Sequence, residues 1–239
     1  MIIGSNTALT GDFRWPGFGS SSAGAADGDV NRLITGYSVM ETDREGTYVW
    51  NETVVRSHEE RETEAGDLEI TVEIHPALRF SDGTEVKAAH YLAYLLAFSS
   101  PVAEEASHTG RAGQAFVGFE EFRRYNGTNH GQSAEGKRVN RCFAGLRLLG
   151  DYRFSMTVDH ERGYYPYYYA NTYGAVTPYD LALVLGEGVD VRDDGQGAYL
   201  TDAFYEKASD GAFQKAAHPP PWFFGRSRAL SPKTTAHLR

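Results

Sequence analysis

The 239-residue chain is long enough to bury a core as one or two domains, and its ordinary balance of apolar and charged residues excludes wholesale disorder. It carries 32 acidic against 23 basic side chains, net −9, without a basic run, which argues against nucleic acid as the main partner. The acidity is uneven: residues 1–120 hold 19 acidic and 8 basic side chains, so the first half is expected to carry a solvated acidic face.

Residues 2–10, IIGSNTALT, form a short β-prone run. Gly11 to Gly19 then crowds Phe13, Trp15 and Phe18 among glycines and Pro16, too irregular for a helix or a strand. Aromatics on an ordered loop either close onto the core or line a site. Residues 20–29 read as a loop, with Asp29 capping a short helix that Gly36 stops. Tyr37–Asp43 and Thr47–Asn51 are strands paired across an Arg44-Glu45-Gly46 turn.

Leu68 to Leu95 is the most informative stretch. Leu68, Ile70, Val72 and Ile74 alternate with Glu69, Thr71 and Glu73, the period of a strand with one buried face. Pro76 interrupts it because proline offers no N–H to a ladder. Leu78-Arg79-Phe80 is a second extended piece running into Asp82-Gly83, a turn pair. Thr84 is expected to cap a helix from about Val86 to Phe98, with Ala89, Leu92, Ala93, Leu96 and Ala97 along one face. Ser99-Ser100-Pro101 is its stop.

Further on, Phe116 to Tyr125 has helical spacing closed by Asn126-Gly127. Phe143–Leu149 and Tyr152–Val158 form a hairpin about Gly150-Asp151. The tyrosines of residues 164–169 suit half-buried helix packing or a stacking platform. Asp190-Val191-Arg192-Asp193-Asp194-Gly195 invites a calcium reading but fails the loop pattern, with Arg192 at its third position and Thr201 at its twelfth. Ala203–Ala217 is helical by its spacing, and the tail after Pro219-Pro220-Pro221 is basic.

Chemistry-bearing motifs are scarce. The chain has no HExxH, GxSxG, P-loop or CxxC, so catalytic residues, metal ligands and cofactors are expected to be none. Cys142 is the single cysteine; set between Arg141 and Phe143-Ala144, it is expected to be buried and inert. Met1-Ile2-Ile3-Gly4 lacks the charged and apolar segments of a signal peptide, and no apolar run reaches membrane-span length. Taken alone, these features describe a soluble cytosolic protein.

Phe80-Ser81-Asp82-Gly83-Thr84-Glu85-Val86-Lys87-Ala88 resembles the signature of the family 5 extracellular solute-binding proteins, the oligopeptide- and dipeptide-binding subunits of ABC importers. Ile74-His75 stands where that family has Leu-Arg, and Ala89-His90-Tyr91 where it has an acidic residue, Asp and Val. The resemblance covers residues 5 to about 180, roughly the first half of a family member. It implies an α/β, periplasmic-binding-protein-like (type II) fold in part: the start of the large lobe with a mixed sheet over residues 1–80, the small lobe over residues 81–185, and an unassigned tail over residues 186–239. It also implies a non-catalytic protein that closes two lobes over a small peptide or other small solute. The partners implied are ABC permease subunits in the full-length protein. The place is the extracellular side of a bacterial cytoplasmic membrane, with membrane contact only through a lipid anchor on a removed export segment. The family's ligand-facing loop falls at Gly11–Gly19. Asp12, Phe13 and Trp15 are therefore the expected ligand-binding residues, Asp12 for a peptide's terminal ammonium and the two rings for its apolar parts. The alternatives are a cell-surface adhesion module, favoured by the Tyr- and Pro-rich stretches, and a hydrolase.

Overall fold

The computed structural model describes Ala26 and residues 36–80, 82–105, 112–131, 136–162 and 176–209. Asp12, Phe13 and Trp15, the tyrosines of residues 164–169 and the chain after residue 209 lie outside the described residues.

The alternating run is strand β4 (Leu68–Ile74), with Ile70, Val72 and Ile74 fully buried and Glu69, Thr71 and Glu73 half-buried. On one side β4 pairs with β3 (Val55–Glu62), on the other with β6 (Arg153–Val158), which in turn pairs with β5 (Leu146–Gly150). The four-stranded sheet has the order β3-β4-β6-β5 and is antiparallel throughout. A hairpin of β1 (Met40–Thr42) and β2 (Tyr48–Trp50) precedes it, and a hairpin of β7 (Val191–Asp193) and β8 (Ala198–Leu200) follows. Every strand pair among the described residues is antiparallel; most of residues 1–35, within the stretch expected to carry a mixed sheet, lie outside them. The hairpins explain three of these pairs: Gly46, Gly66 and Gly150-Asp151 each reverse the chain within a few residues, and a short reversal can only join antiparallel strands. The sheet also draws on both sides of residue 80, because β5 and β6 extend the edge that β4 offers.

Asp82-Gly83 turns as its sequence requires. Gly83 takes φ +89°, Gly83 N–H donates to Phe80 O, and Phe80 N–H to Thr84 O. Helix α1 (Ala88–Ala97) follows. Thr84 does not cap it. Thr84 N–H is held by the Asp82 carboxylate at 2.9 Å, four residues short of the helix, and the N-cap is Lys87. His90 Nδ1 reaches back to the Lys87 N–H at 2.9 Å and does the capping that a Glu or Gln side chain often does. Burial also spreads beyond the expected stripe: Tyr91 and Leu95 are enclosed as fully as Leu92 and Leu96. The reason is that α1 lies between the β5–β6 part of the sheet and the β7–β8 hairpin, so two of its faces meet protein.

Short helices α2 (Pro101–Glu105), α3 (Phe119–Phe122), α4 (Leu181–Leu185) and α5 (Asp202–Ser209) complete the described fold. Phe143 ties the second half of the core together: its ring stacks on Phe122 at 5.0 Å, and its N–H donates to Ala198 O. Beside it, Gly145 lies so close to Val117 that a Cβ would come within 2.6 Å of the Val117 carbonyl, so only glycine fits there. Val39 N–H donates to Val176 O, which brings the two ends of the 39–176 stretch together.

Replacing Ile70 by Ala should cost about 2–4 kcal/mol, from lost transfer energy and the cavity left in a fully buried site. Glu73→Ala on the opposite face should cost under about 1 kcal/mol, because its partner Arg56 is exposed. Urea denaturation of the two variants checks the assignment; comparable losses would mean the two faces of β4 are misassigned.

Candidate functional site

The described residues form a groove beside α1. Its walls are the first turn of α1 (Lys87, Ala89), the end of β5 and its turn (Leu148 to Asp151), and β7 (Val191 to Asp193), around about 320 Å³. The sequence builds it through the β5–β6 reversal. Ala88 N–H donates to Asp151 O at 2.8 Å, and Lys87 Nζ lies 3.4 Å from the Asp151 carboxylate, so the turn is pinned to the helix start.

The opposite wall is fixed by Asp193. Its carboxylate receives Arg147 Nε at 2.9 Å and Nη2 at 3.1 Å, the two-pronged geometry of a guanidinium on a carboxylate. Leu148 N–H and Gly195 N–H add two further donors. Burial opposes the charge on Asp193, but these donors outweigh it and hold the carboxyl below the usual range. With the Asp193 charge already satisfied, the groove offers Leu148, Leu149 and Val191 as apolar wall. Lys87 and Arg192 stand as cations whose carboxylate partners, Asp151 and Asp190, lie at 3.4 and 3.6 Å. Such loose, exposed pairs contribute little and are easily exchanged for a ligand's own charges. Sequence reading missed this groove because its walls come from three separated segments. The repeated Asp and Arg of residues 190–194 marked the place but not the partners.

Cys142 is buried, as its neighbours predict, and Sγ donates to Asp194 Oδ2 at 2.9 Å. Burial, with the hydrogen bond to Asp194 and its negative charge, pushes the thiol up to about 12. The thiolate form a nucleophile needs is therefore suppressed at neutral pH.

At the far end of the sheet, Asp67, Asp159 and His160 bring ligand atoms within 4.8 Å of one another. These atoms are already engaged. Asp67 Oδ1 accepts from the His160 N–H at 3.0 Å and lies 2.7 Å from Nδ1, while Asp159 accepts from Glu161 N–H and faces Arg162. The cluster is a clip between the β3–β4 turn and the end of β6. The Asp67 carboxylate beside His160 raises the imidazole's pKa. Burial works against the charge on Asp67, but the His160 donors hold its carboxyl low. The ligand residues expected from the sequence, Asp12, Phe13 and Trp15, lie outside the described residues and outside this geometry.

No family model and no curated protein matches the sequence. Solved structures do. The chain is similar to OppA of Burkholderia pseudomallei (TM-score 0.45, 14% identity, 73% of this chain and 33% of that one). It is also similar to Haemophilus influenzae OppA in complex with RPPGFSPFR (0.47, 15%, 69% and 28%) and to an oligopeptide-binding protein of Thermus thermophilus complexed with a pentapeptide (0.45, 14%, 93% and 32%). The chain spans about a third of the length of the structures it matches.

Two outcomes check this chemistry. A thiol reagent at pH 8 should label Cys142 readily in the denatured chain and only slowly in the native one; equal rates would contradict the raised thiol. The His160–Asp67 clip has two flanks in pH. Raised His160 stabilises fully below its unfolded value, and this is lost as pH rises through its folded value. Lowered Asp67 stabilises above its unfolded value, and this is lost as pH falls through its folded one. The melting-temperature gap between wild type and His160→Gln should therefore be widest between the unfolded values of Asp67 and His160 and narrow as pH rises above the latter.

Proposed function

We propose that this chain is part of an extracytoplasmic solute-binding protein that takes small peptides for an ABC-type importer without catalysing a reaction. The observation that carries the reading is the segment from Leu68 to Ala97. Its F-S-D-G-T resemblance falls between the strand β4 and the helix α1, at an Asp-Gly turn with Gly83 at φ +89°. The strand of that segment is an interior strand of the principal sheet, so the resemblance coincides with the part of the fold on which the rest is assembled.

In this reading the binding event is lobe closure, a shift toward a state whose ligand contacts exist only when closed. Peptide main chain would be recognised largely by backbone groups, with Asp12 meeting the terminal ammonium and Phe13 and Trp15 bordering the cleft. The two lobes, the permease partner, the lipid anchor and the cell-surface place belong to the same proposal.

Titration calorimetry tests it. The full-length protein containing this chain should bind tri- to pentapeptides with micromolar affinity, weakened by Trp15→Ala without a matching loss of stability. The 239-residue chain alone should bind them poorly, because closure needs both complete lobes. A full-length protein indifferent to peptides, or hydrolysing them, would overturn the assignment. Tight binding by the short chain would overturn the two-lobe mechanism alone.

A further inference from the structure

Strand β3 is an edge of the principal sheet and the longest strand among the described residues. Among those residues its outer edge is unpaired, and the Trp50 ring, stacked on His58 at 4.2 Å, is the one aromatic laid against it. After Val55, every residue from Arg56 to Glu62 is exposed. In register with β4, His58, Glu60 and Glu62 stand opposite Val72, Ile70 and Leu68, on the side of the sheet that faces the core. They remain exposed because α1 covers the other end of the sheet, meeting β5 and β6. The strand therefore offers solvent both faces beyond His58 and an edge of unpaired backbone N–H and C=O groups.

Its charge is as unusual as its exposure. Both arginines of the strand are taken, Arg56 by Glu73 at 3.0 Å and Arg61 by Glu69. Glu59, Glu60 and Glu62 have no ion-pair partner among the described residues. Two uncompensated carboxylates, Glu60 and Glu62, thus sit on one face of an open ladder, while Glu59 on the other face shares the field of Arg61 with Glu69.

We propose that the β3 edge is a docking site for an extended, lysine- or arginine-bearing segment of a partner protein, added to the sheet as a fifth strand. Main-chain hydrogen bonds to β3 supply the affinity of such strand addition, and side chains at alternate positions supply the choice of partner. A cation at every second residue of the incoming strand meets Glu60 and Glu62 together, since side chains two apart share a face. A second copy of this chain is a poor occupant, because pairing two β3 edges sets glutamates against glutamates. The competing account is that the charges only keep the edge from aggregating. It requires repulsion of other strands, not recognition of a particular one.

The test uses a fluorescent peptide of alternating lysine and threonine, with an alternating glutamate and threonine peptide as control. Anisotropy should show saturable binding of the first and none of the second. Amide hydrogen exchange should slow at alternate positions of residues 56–62. Charge reversal at two exposed positions, Glu60→Lys with Glu62→Lys, should weaken binding about tenfold, the loss of roughly two exposed ion pairs, and leave the melting temperature in place. No binding of the lysine peptide, undiminished binding to the double variant, or binding without protection at β3 would each overturn the proposal. The last would reduce it to diffuse charge attraction.

Discussion

The fold depends on β4 having neighbours on both edges. A strand alternating apolar and polar residues buries one face where a neighbour carries apolar residues to the same side, and here that neighbour is β6, with Val55 of β3 adding to it opposite Ile74. Register with β6 sets Ile70 opposite Met156 and Val72 opposite Phe154, all four fully buried. Phe154 then receives the Tyr91 ring of α1 at 5.4 Å, and the Tyr91 hydroxyl donates to Tyr37 O at 2.9 Å. Slipping β4 by one residue would turn Glu69 and Glu73 into this core, at a cost no nearby contact offsets.

Where the apolar packing ends, single polar contacts hold the periphery. Asp193 with Arg147 ties β7 to β5, and Asp67 with His160 ties the β3–β4 turn to the end of β6. The Cys142 thiol on Asp194 binds the segment before β5 to the β7–β8 turn. Each contact joins residues 46 to 93 positions apart and so restrains a long loop. The Asp193 site is the most demanding of the three, since its side chain is only 9% exposed and Arg147 is the one cation bonded to it among the described residues. Removing Arg147 would leave a largely enclosed charge, whereas losing an exposed pair such as Arg56 with Glu73 would change little.

What could be read in the sequence was what a short window records. The two-residue period of Leu68–Ile74 located β4 to the residue, the Asp82-Gly83 pair located its turn, and Gly150-Asp151 located the β5–β6 reversal. What escaped were facts settled between windows. Thr84 looks like a cap because Ser and Thr usually are, yet Asp82 holds its N–H and His90 caps the helix. The apolar stripe of α1 came out too narrow because the β7–β8 hairpin, about a hundred residues downstream, covers a second face. The groove was invisible for the same reason, since Lys87, Leu148 and Arg192 come from three segments whose meeting no local pattern encodes. Asp12, Phe13 and Trp15 came from an irregular aromatic loop that the family resemblance turned toward a ligand.

The charge imbalance noted in the bare composition acquires a location in the structure. Around the groove the charges cancel: Lys87, Arg147 and Arg192 face Asp151, Asp193 and Asp190. Along β3 they do not, because both local arginines are spent on β4 and Glu60 and Glu62 remain. A groove with balanced, loosely held pairs and an apolar wall suits a neutral or zwitterionic occupant, which can exchange one pair for its own charges. An uncompensated acidic edge suits a cation and repels an anion over a Debye length of about 10 Å at 0.1 M salt. The two surfaces therefore differ in what they can hold, and their salt dependence separates them: binding at the groove should change little with ionic strength, while binding at β3 should fall steeply.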